Sequence, residues 1–397
     1  MSSSIPKIVL FGGTGFVGGQ VLYTLLTGDF SLGEAEIVVI TSSESKHRQI
    51  DSWASKLGSK LQGRSLSVIV AQRGGGKDGN AWYEASEKIS SDADLVLQAA
   101  TSDDLKLTKA INKGLISAQK SGKRGALIHL SGTQLIETLA GGNAEPKARQ
   151  YDDSDRDAIV NISDEAAHRH IDLEIGHVIA RGELPGAIVC PTLVWGQGQG
   201  PDLRVSTQIP DLVKKALYNG HAVHVGAGTN SWTSVHVSDV SSLILLLSAS
   251  LLSPTSSGKA SKQKVAGGEQ LFESFYFAST PKLHLFKDLA SVIGKTLHAQ
   301  GLISSSQPTS LPCPAHNPNE KGVRIEDAAR SAADEEQDKR TPIWPTRTNV
   351  DCIASRAERE VSWKPTKHLD EEGLVADVKF YVEQWRADGT LKQLQRA

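Results

Sequence analysis

Three features of this 397-residue sequence predict an α/β fold: a doubly wound parallel sheet with a smaller C-terminal lobe. Short β-branched runs bounded by turn residues recur along the chain. The segments between them are long enough for crossover helices. The first run, Lys7–Phe11, also passes directly into glycines at positions 12, 15 and 18.

That glycine turn comes first. Gly12 permits the tight turn, Gly15 lets the backbone approach a pyrophosphate, and Gly18 lets the following helix, Gln20–Leu26, pack closely on the strand. With Thr14, Phe16 and Val17 it presents helix N-terminal N–H groups and the positive end of the helix dipole to an anion. The sheet is therefore Rossmann-type, and a nicotinamide dinucleotide is its expected cofactor. The second strand, Glu36–Thr41, ends in Thr41-Ser42-Ser43, where a carboxylate for the ribose hydroxyls of NAD would stand. Lys46, His47 and Arg48 follow, so a 2′-phosphate would meet hydroxyls and positive charge. NADP is thus preferred over NAD, with Thr41, Ser42 and Arg48 as contacts.

Further strands are expected at Ser67–Ala71, Asp94–Ala99, Ala126–Ser131 and Ala187–Pro191, each running into a loop at the carboxyl edge, where ligands bind in such sheets. Residues 1–250 then form the dinucleotide-binding domain, with 191–235 contributing to the substrate side, and 251–397 form a substrate or cap region. Polar stretches at 256–270 and 304–348 read as loops. Near the end, Leu374, Val375, Val378 and Tyr381 make one apolar helix face.

Bulk composition narrows the classes. A formal charge of -2 with no basic block argues against nucleic acid. The most apolar stretch, Leu243–Leu247, is far short of a bilayer span, and no membrane association is expected. Cys190, Cys313 and Cys352 lack metal or redox spacing and read as free thiols in a reducing compartment, hence the cytoplasm. The expected partner is a small-molecule substrate, and a homodimer is compatible with the sequence.

Several later stretches share one resemblance. Leu97-Gln98-Ala99-Ala100, Ile128-His129-Leu130-Ser131-Gly132-Thr133, Cys190-Pro191-Thr192-Leu193-Val194-Trp195-Gly196, Val225-Gly226-Ala227-Gly228 with Trp232–Val240, and Ser355–Pro365 follow the glycine turn in order. Together they resemble the extended short-chain dehydrogenase/reductases of the NAD-dependent epimerase/dehydratase type. Ser362 stands where that family's C-terminal signature usually has glycine. The resemblance implies that Ala99, Ala100 and Thr101 lie beside the adenosine, and that Pro191, Leu193 and Val194 line the nicotinamide. It also implies that Ser131 or Thr133 contacts a substrate oxygen.

One family feature is missing. None of the six tyrosines is followed four residues later by lysine, so the usual Tyr and Lys pair is absent. The helix that should carry it is expected over Ser163–Arg181, capped by Ser163. Two registers stay open: Asp164 and His168, or His168 and Asp172, in the Tyr and Lys slots. His168 can serve as general acid or base near the nicotinamide, or as a core-edge histidine with a satisfied hydrogen bond.

A calcium loop at Asp153–Asp157 with Asp164 is disfavoured because Ala158 stands where glycine must turn, and no metal is expected. This acidic stretch reads instead as a solvated loop over the cofactor mouth, with Tyr151 part of a substrate lid. Two functions follow: an NAD(P)-dependent oxidoreductase or epimerase acting on a carbonyl, alcohol or nucleotide sugar, or a non-catalytic NADP-binding sensor or scaffold whose partner surface includes Ile343, Trp344 and Pro345.

Overall fold

The computed structural model describes residues 5–28, 33–61, 64–74, 79–145, 148–202, 204–253, 272–313 and 339–395. Seven parallel strands form the central sheet: β1 (Lys7–Phe11), β2 (Glu36–Thr41), β3 (Ser65–Val70), β4 (Leu95–Gln98), β5 (Ala126–Leu130), β6 (Gly186–Pro191) and β7 (Phe275–Ala278). Their order is β3-β2-β1-β4-β5-β6-β7, so the chain reverses its direction of travel at β1 and β4. Ligands bind at such a reversal.

Alternation along the strands builds two cores. Val9, Phe11, Val38, Ile40 and Val96 face one side, and Ile8, Leu10, Ile37, Val39, Leu95 and Leu97 face the other. Helices α1 (Phe16–Thr27), α2 (Glu44–Ser55) and α6 (Val237–Leu252) cover the second face, while α3 (Ala81–Ser90), α4 (Leu105–Lys120) and α5 (Arg169–Ala180) cover the first. Each fully buried aliphatic side chain stabilises this arrangement by roughly 1.5–3 kcal/mol.

The helix expected over Ser163–Arg181 is shorter than its sequence suggests. It begins at Arg169, not Ser163, because His168 takes a left-handed backbone (φ 66°, ψ -16°) that breaks helical continuity. Asp164 accordingly lies exposed in a turn, and the Ser163 hydroxyl accepts only from the Glu165 amide.

The smaller lobe is interleaved with the sheet. Strand Ser231–His236 pairs in parallel with Leu193–Trp195 and antiparallel with Thr280–Leu285, and the expected boundary at residue 250 separates β7 from the six strands it joins. Part of the stretch expected as a loop is a strand, Ser305–Leu311, parallel to His221–Val225. Its polar side chains are mostly on the outer side of a two-stranded ribbon, which is why composition suggested a loop. Residues 256–270 lie outside the described residues. The backbone at 343–348 lies along its own lobe: the Ile343 amide donates to Asp211, and Asn230 Nδ2 donates to the carbonyls of Thr346 and Thr348.

Helix Glu371–Ala387 buries Leu374, Val378 and Tyr381, with Val375 half-buried. Ahead of it, Ser362 takes φ 54°, the left-handed conformation that glycine adopts without steric penalty. Among the described residues, no helix is long and apolar enough to cross a membrane.

Candidate active site

The glycine turn is a backbone cradle. Gly12 takes φ 85°, and a Cβ there would lie 2.4 Å from the Ala99 carbonyl oxygen. A Cβ at Gly18 would lie 2.2 Å from the Gly12 carbonyl oxygen, so neither position accepts a side chain without displacement of the backbone. Gly15 caps α1 with no side-chain acceptor, and the first turn carries no acidic residue. Gly15, Phe16 and Val17 are half-exposed while Thr14 is buried. The Gly15 amide donates to the Gly12 carbonyl within the turn, so the amides of Phe16 and Val17 and the dipole of α1 are what fits a pyrophosphate.

Neighbouring loops are fixed around that turn. Gln98 Oε1 accepts from the amides of Ala100 and Thr101 at 2.8 and 3.4 Å, and its Nε2 donates to the Thr101 carbonyl at 2.7 Å. This shapes the Ala99–Thr101 loop beside Gly12. At the end of β2, Thr41 is buried and exchanges hydrogen bonds with the Ser43 backbone, which shortens the list of groups open to a ribose phosphate. Ser42 is half-buried and Arg48 is exposed on α2. Across the cleft, Pro191 and Leu193 are buried and Val194 is half-exposed. Leu193 belongs to the core on the far side of its strand.

The two candidate hydroxyls separate cleanly. Thr133 Oγ1 donates to the Pro191 carbonyl at 3.2 Å, tying the loop after β5 to β6. Ser131 Oγ lies 3.0 Å from Asp172 Oδ2. Beside it, the imidazole of His168 lies against Gly132, where a Cβ would be 3.3 Å from Nε2. His168 Nδ1 meets Asp103 Oδ1 at 2.7 Å, and this hydrogen bond holds the Asp103 carboxyl below its usual range. An ionised carboxylate only accepts, so Nδ1 carries a proton in this bond, and Nε2 is the nitrogen turned toward Gly132.

Sequence reasoning placed His168 at the site but missed Asp103, which lies two residues beyond Thr101 in the loop after β4. Asp103 and Asp104 come three and four residues after the fourth-strand motif, and Asp104 serves as the N-cap of α4, a signal that marks the helix start but not a histidine partner. Asp172 is wholly buried, and burial pushes its carboxyl up to about 7. His129, on β5 beneath the site, is neutral because burial pushes its imidazole down to about 3.

The acidic stretch is solvated at Asp155 and Asp157 but not at Asp153. Asp153 is fully buried and accepts from the amides of Phe277 and Arg356, while Asp155 caps the short helix Arg156–Val160. Gln150–Asp152, which includes Tyr151, pairs in parallel with Asp351–Ile353. These carboxylates are occupied by backbone donors that the sequence could not reveal.

No family model matches the chain. An oxidase from an Acremonium species, ucsJ, is 26% identical over 369 residues, which is 90% of this chain and 92% of that protein. Among solved structures, a dTDP-glucose 4,6-dehydratase from Streptomyces venezuelae, with NAD and TYD bound, superposes with a TM-score of 0.59 at 15% identity, covering 96% of this chain and 98% of that one. A UDP-glucose 4-epimerase from Thermotoga maritima, with UDP-glucose, gives 0.56 at 14% identity over 95% and 99%. The chain has the fold of these dehydratases and epimerases, the Rossmann-type α/β architecture of the extended short-chain dehydrogenase/reductases.

Proposed function

We propose that this protein is a nicotinamide-dinucleotide-dependent oxidoreductase or epimerase acting on a small carbonyl, alcohol or nucleotide-sugar substrate, with NADP preferred. The observation that carries the reading is the Asp103–His168 pair beside Ser131, with Asp103 and Ser131 on the loops that leave the carboxyl ends of β4 and β5 and His168 at the head of α5. The backbone at Gly12, Gly15 and Gly18 would hold the pyrophosphate, with Ala99–Thr101 at the adenosine side. When bound, the cofactor supplies a two-electron hydride acceptor or donor.

This chain's residues supply the proton chemistry. His168 Nε2 accepts the proton of a substrate hydroxyl, or returns it to a developing alkoxide, in place of the missing tyrosine. Asp103 fixes the tautomer and stabilises the imidazolium. His168 holds a left-handed backbone that a non-glycine residue adopts only under constraint, and such strain clusters at functional sites. Asp164, exposed in its turn, takes no part in this arrangement. For NADP, Ser42 and Arg48 remain open to a 2′-phosphate, while Thr41 shapes the turn that presents them.

The NAD and sugar-nucleotide ligands of the superposed structures, and the oxidase description of the Acremonium relative, support redox chemistry. The test mixes the full chain with NADPH or NADH and a panel of aldehydes, ketones and nucleotide sugars, following nicotinamide absorbance and epimer formation. Turnover that falls by roughly 10²–10⁴-fold in His168→Gln is expected. Tight dinucleotide binding with no turnover on any substrate class favours the sensor reading instead.

A further inference from the structure

Asp172 stands on α5 one turn beyond His168, in the Lys slot of one of the two registers that the sequence leaves open, and its surroundings are unusual for a carboxylate. The side chain is fully buried. Ser131 Oγ is its one hydrogen-bond partner, and Oδ1 has none among the described residues. Arg169 is just as deeply buried, yet its Nη2 donates to the carbonyls of Ile159 and Val160, and it makes no ion pair with Asp172. The other groups facing the carboxyl are His168 on the same helix, Asp103 from the loop after β4, and Cys190 on β6. The buried face of α4, which packs on α5, is Leu107, Thr108, Ile111, Asn112, Gly114, Leu115 and Ala118, none of them titratable.

A buried carboxylate with one hydroxyl partner and no ion-pair partner among the described residues is poorly compensated, and the neutral acid is favoured there. Protonation also decides what Ser131 can do. A hydroxyl has one proton: if Asp172 is ionised, Ser131 must spend that proton on Oδ2 and can only accept from a substrate. If Asp172 is neutral, its own O–H is donated to Ser131 Oγ, and the serine proton is free to point at the substrate oxygen.

We propose that Asp172 is a positioning residue that works as a neutral carboxylic acid, making Ser131 a hydrogen-bond donor to a substrate carbonyl or alkoxide oxygen. The proposal rests on the reading of Ser131 as the substrate-oxygen contact. The chain is Asp172 Oδ2–H to Ser131 Oγ, then Ser131 Oγ–H to substrate oxygen, alongside His168 as the proton carrier. It gives the site a donor that does not compete with His168 for the single substrate hydroxyl proton. The donor form is present below a pH of about 7 and fades above it, the direction set by burial of the carboxyl.

Infrared difference spectra of the full chain, wild type minus Asp172→Asn, collected as pH is stepped from about 5 to 9, test this through the protonated-carboxyl band. Asp153, whose buried carboxyl is also pushed up to about 7, is present in both samples and cancels. A band that disappears with a midpoint near 7 is expected, rising by about one pH unit in Ser131→Ala, where the carboxylate loses its hydrogen-bond donor. A carboxyl at position 172 already ionised at pH 5, or a midpoint unmoved in Ser131→Ala, overturns the proposal. If Asp172→Asn does not fold, wild type minus Ser131→Ala carries the same test. NADPH binding measured on the same samples keeps the two readings apart: its absence removes the dinucleotide function while leaving the state of Asp172 decided by the spectra. With a substrate from the panel, the fall of carbonyl reduction through that midpoint should be present in wild type and lost in Asp172→Asn.

Discussion

Gly18→Ala puts the cofactor cradle to its sharpest test. The added Cβ would lie 2.2 Å from the Gly12 carbonyl oxygen and 2.8 Å from its carbon, against an ordinary separation of about 3.5 Å. The turn and α1 must therefore part by about 1 Å. Overpacking of this kind costs roughly 1–3 kcal/mol of stability. The same shift moves the Phe16 and Val17 amides that would hold a pyrophosphate, and each hydrogen bond to a charged group is worth roughly 1.5–3 kcal/mol. Losing one of them weakens binding by about ten- to a hundredfold. Calorimetric titration of NADPH and NADH into wild type and variant, with denaturant midpoints measured on both, reads the two effects separately. A variant that unfolds at the wild-type midpoint and binds within twofold of wild type would refute the reasoning, because the side chain would then have found room without moving the turn.

Other consequences are as concrete. Ser362→Gly relieves a left-handed backbone at a position where no glycine stands, and should raise stability by about 1 kcal/mol in denaturant titrations; an unchanged midpoint would mean that the backbone is not held there. Asp172 has a folded value of about 7, raised from 3.8, so the folded state holds the proton more tightly and wild-type stability falls as pH rises between those values. Asp172→Asn removes that slope, and its stability relative to wild type should improve by on the order of a few kcal/mol from pH 4 to pH 8. Asp153→Asn should lose roughly 1–3 kcal/mol, since its new amide group would face one of the two backbone donors from Phe277 and Arg356; a neutral result would show that those amides have other acceptors.

Much of the fold could be read from pattern because its causes are local. A β-branched run followed by three glycines has few outcomes, and Lys7–Phe11 and Glu36–Thr41 form strands with the expected ends. The helix over Ser163–Arg181 was misread because nothing local marks His168 as left-handed; the constraint comes from Asp103, 65 residues away, and from Gly132 against the ring. Asp103 was missed for the same reason, since a loop aspartate becomes a histidine partner only when α5 is docked beside it. Ser305–Leu311 was misread because an edge strand with exposed polar side chains has the composition of a loop. Ser131 and Thr133 stayed alternatives in the sequence because a two-residue shift along an extended chain leaves both on one face, and their different hydrogen-bond partners arise only from tertiary packing.

The seventh strand has a bearing on how the molecule is made. A ribosome delivers β6 long before Phe275–Ala278 emerges, so the nascent sheet carries a bare flank at Ile188–Pro191 while the intervening substrate lobe is still assembling. That flank is apolar and offers unpaired backbone groups, the template on which chains add to one another. A fragment ending near residue 250 should therefore clump more readily than the intact polypeptide, in which Phe275–Ala278 covers that flank.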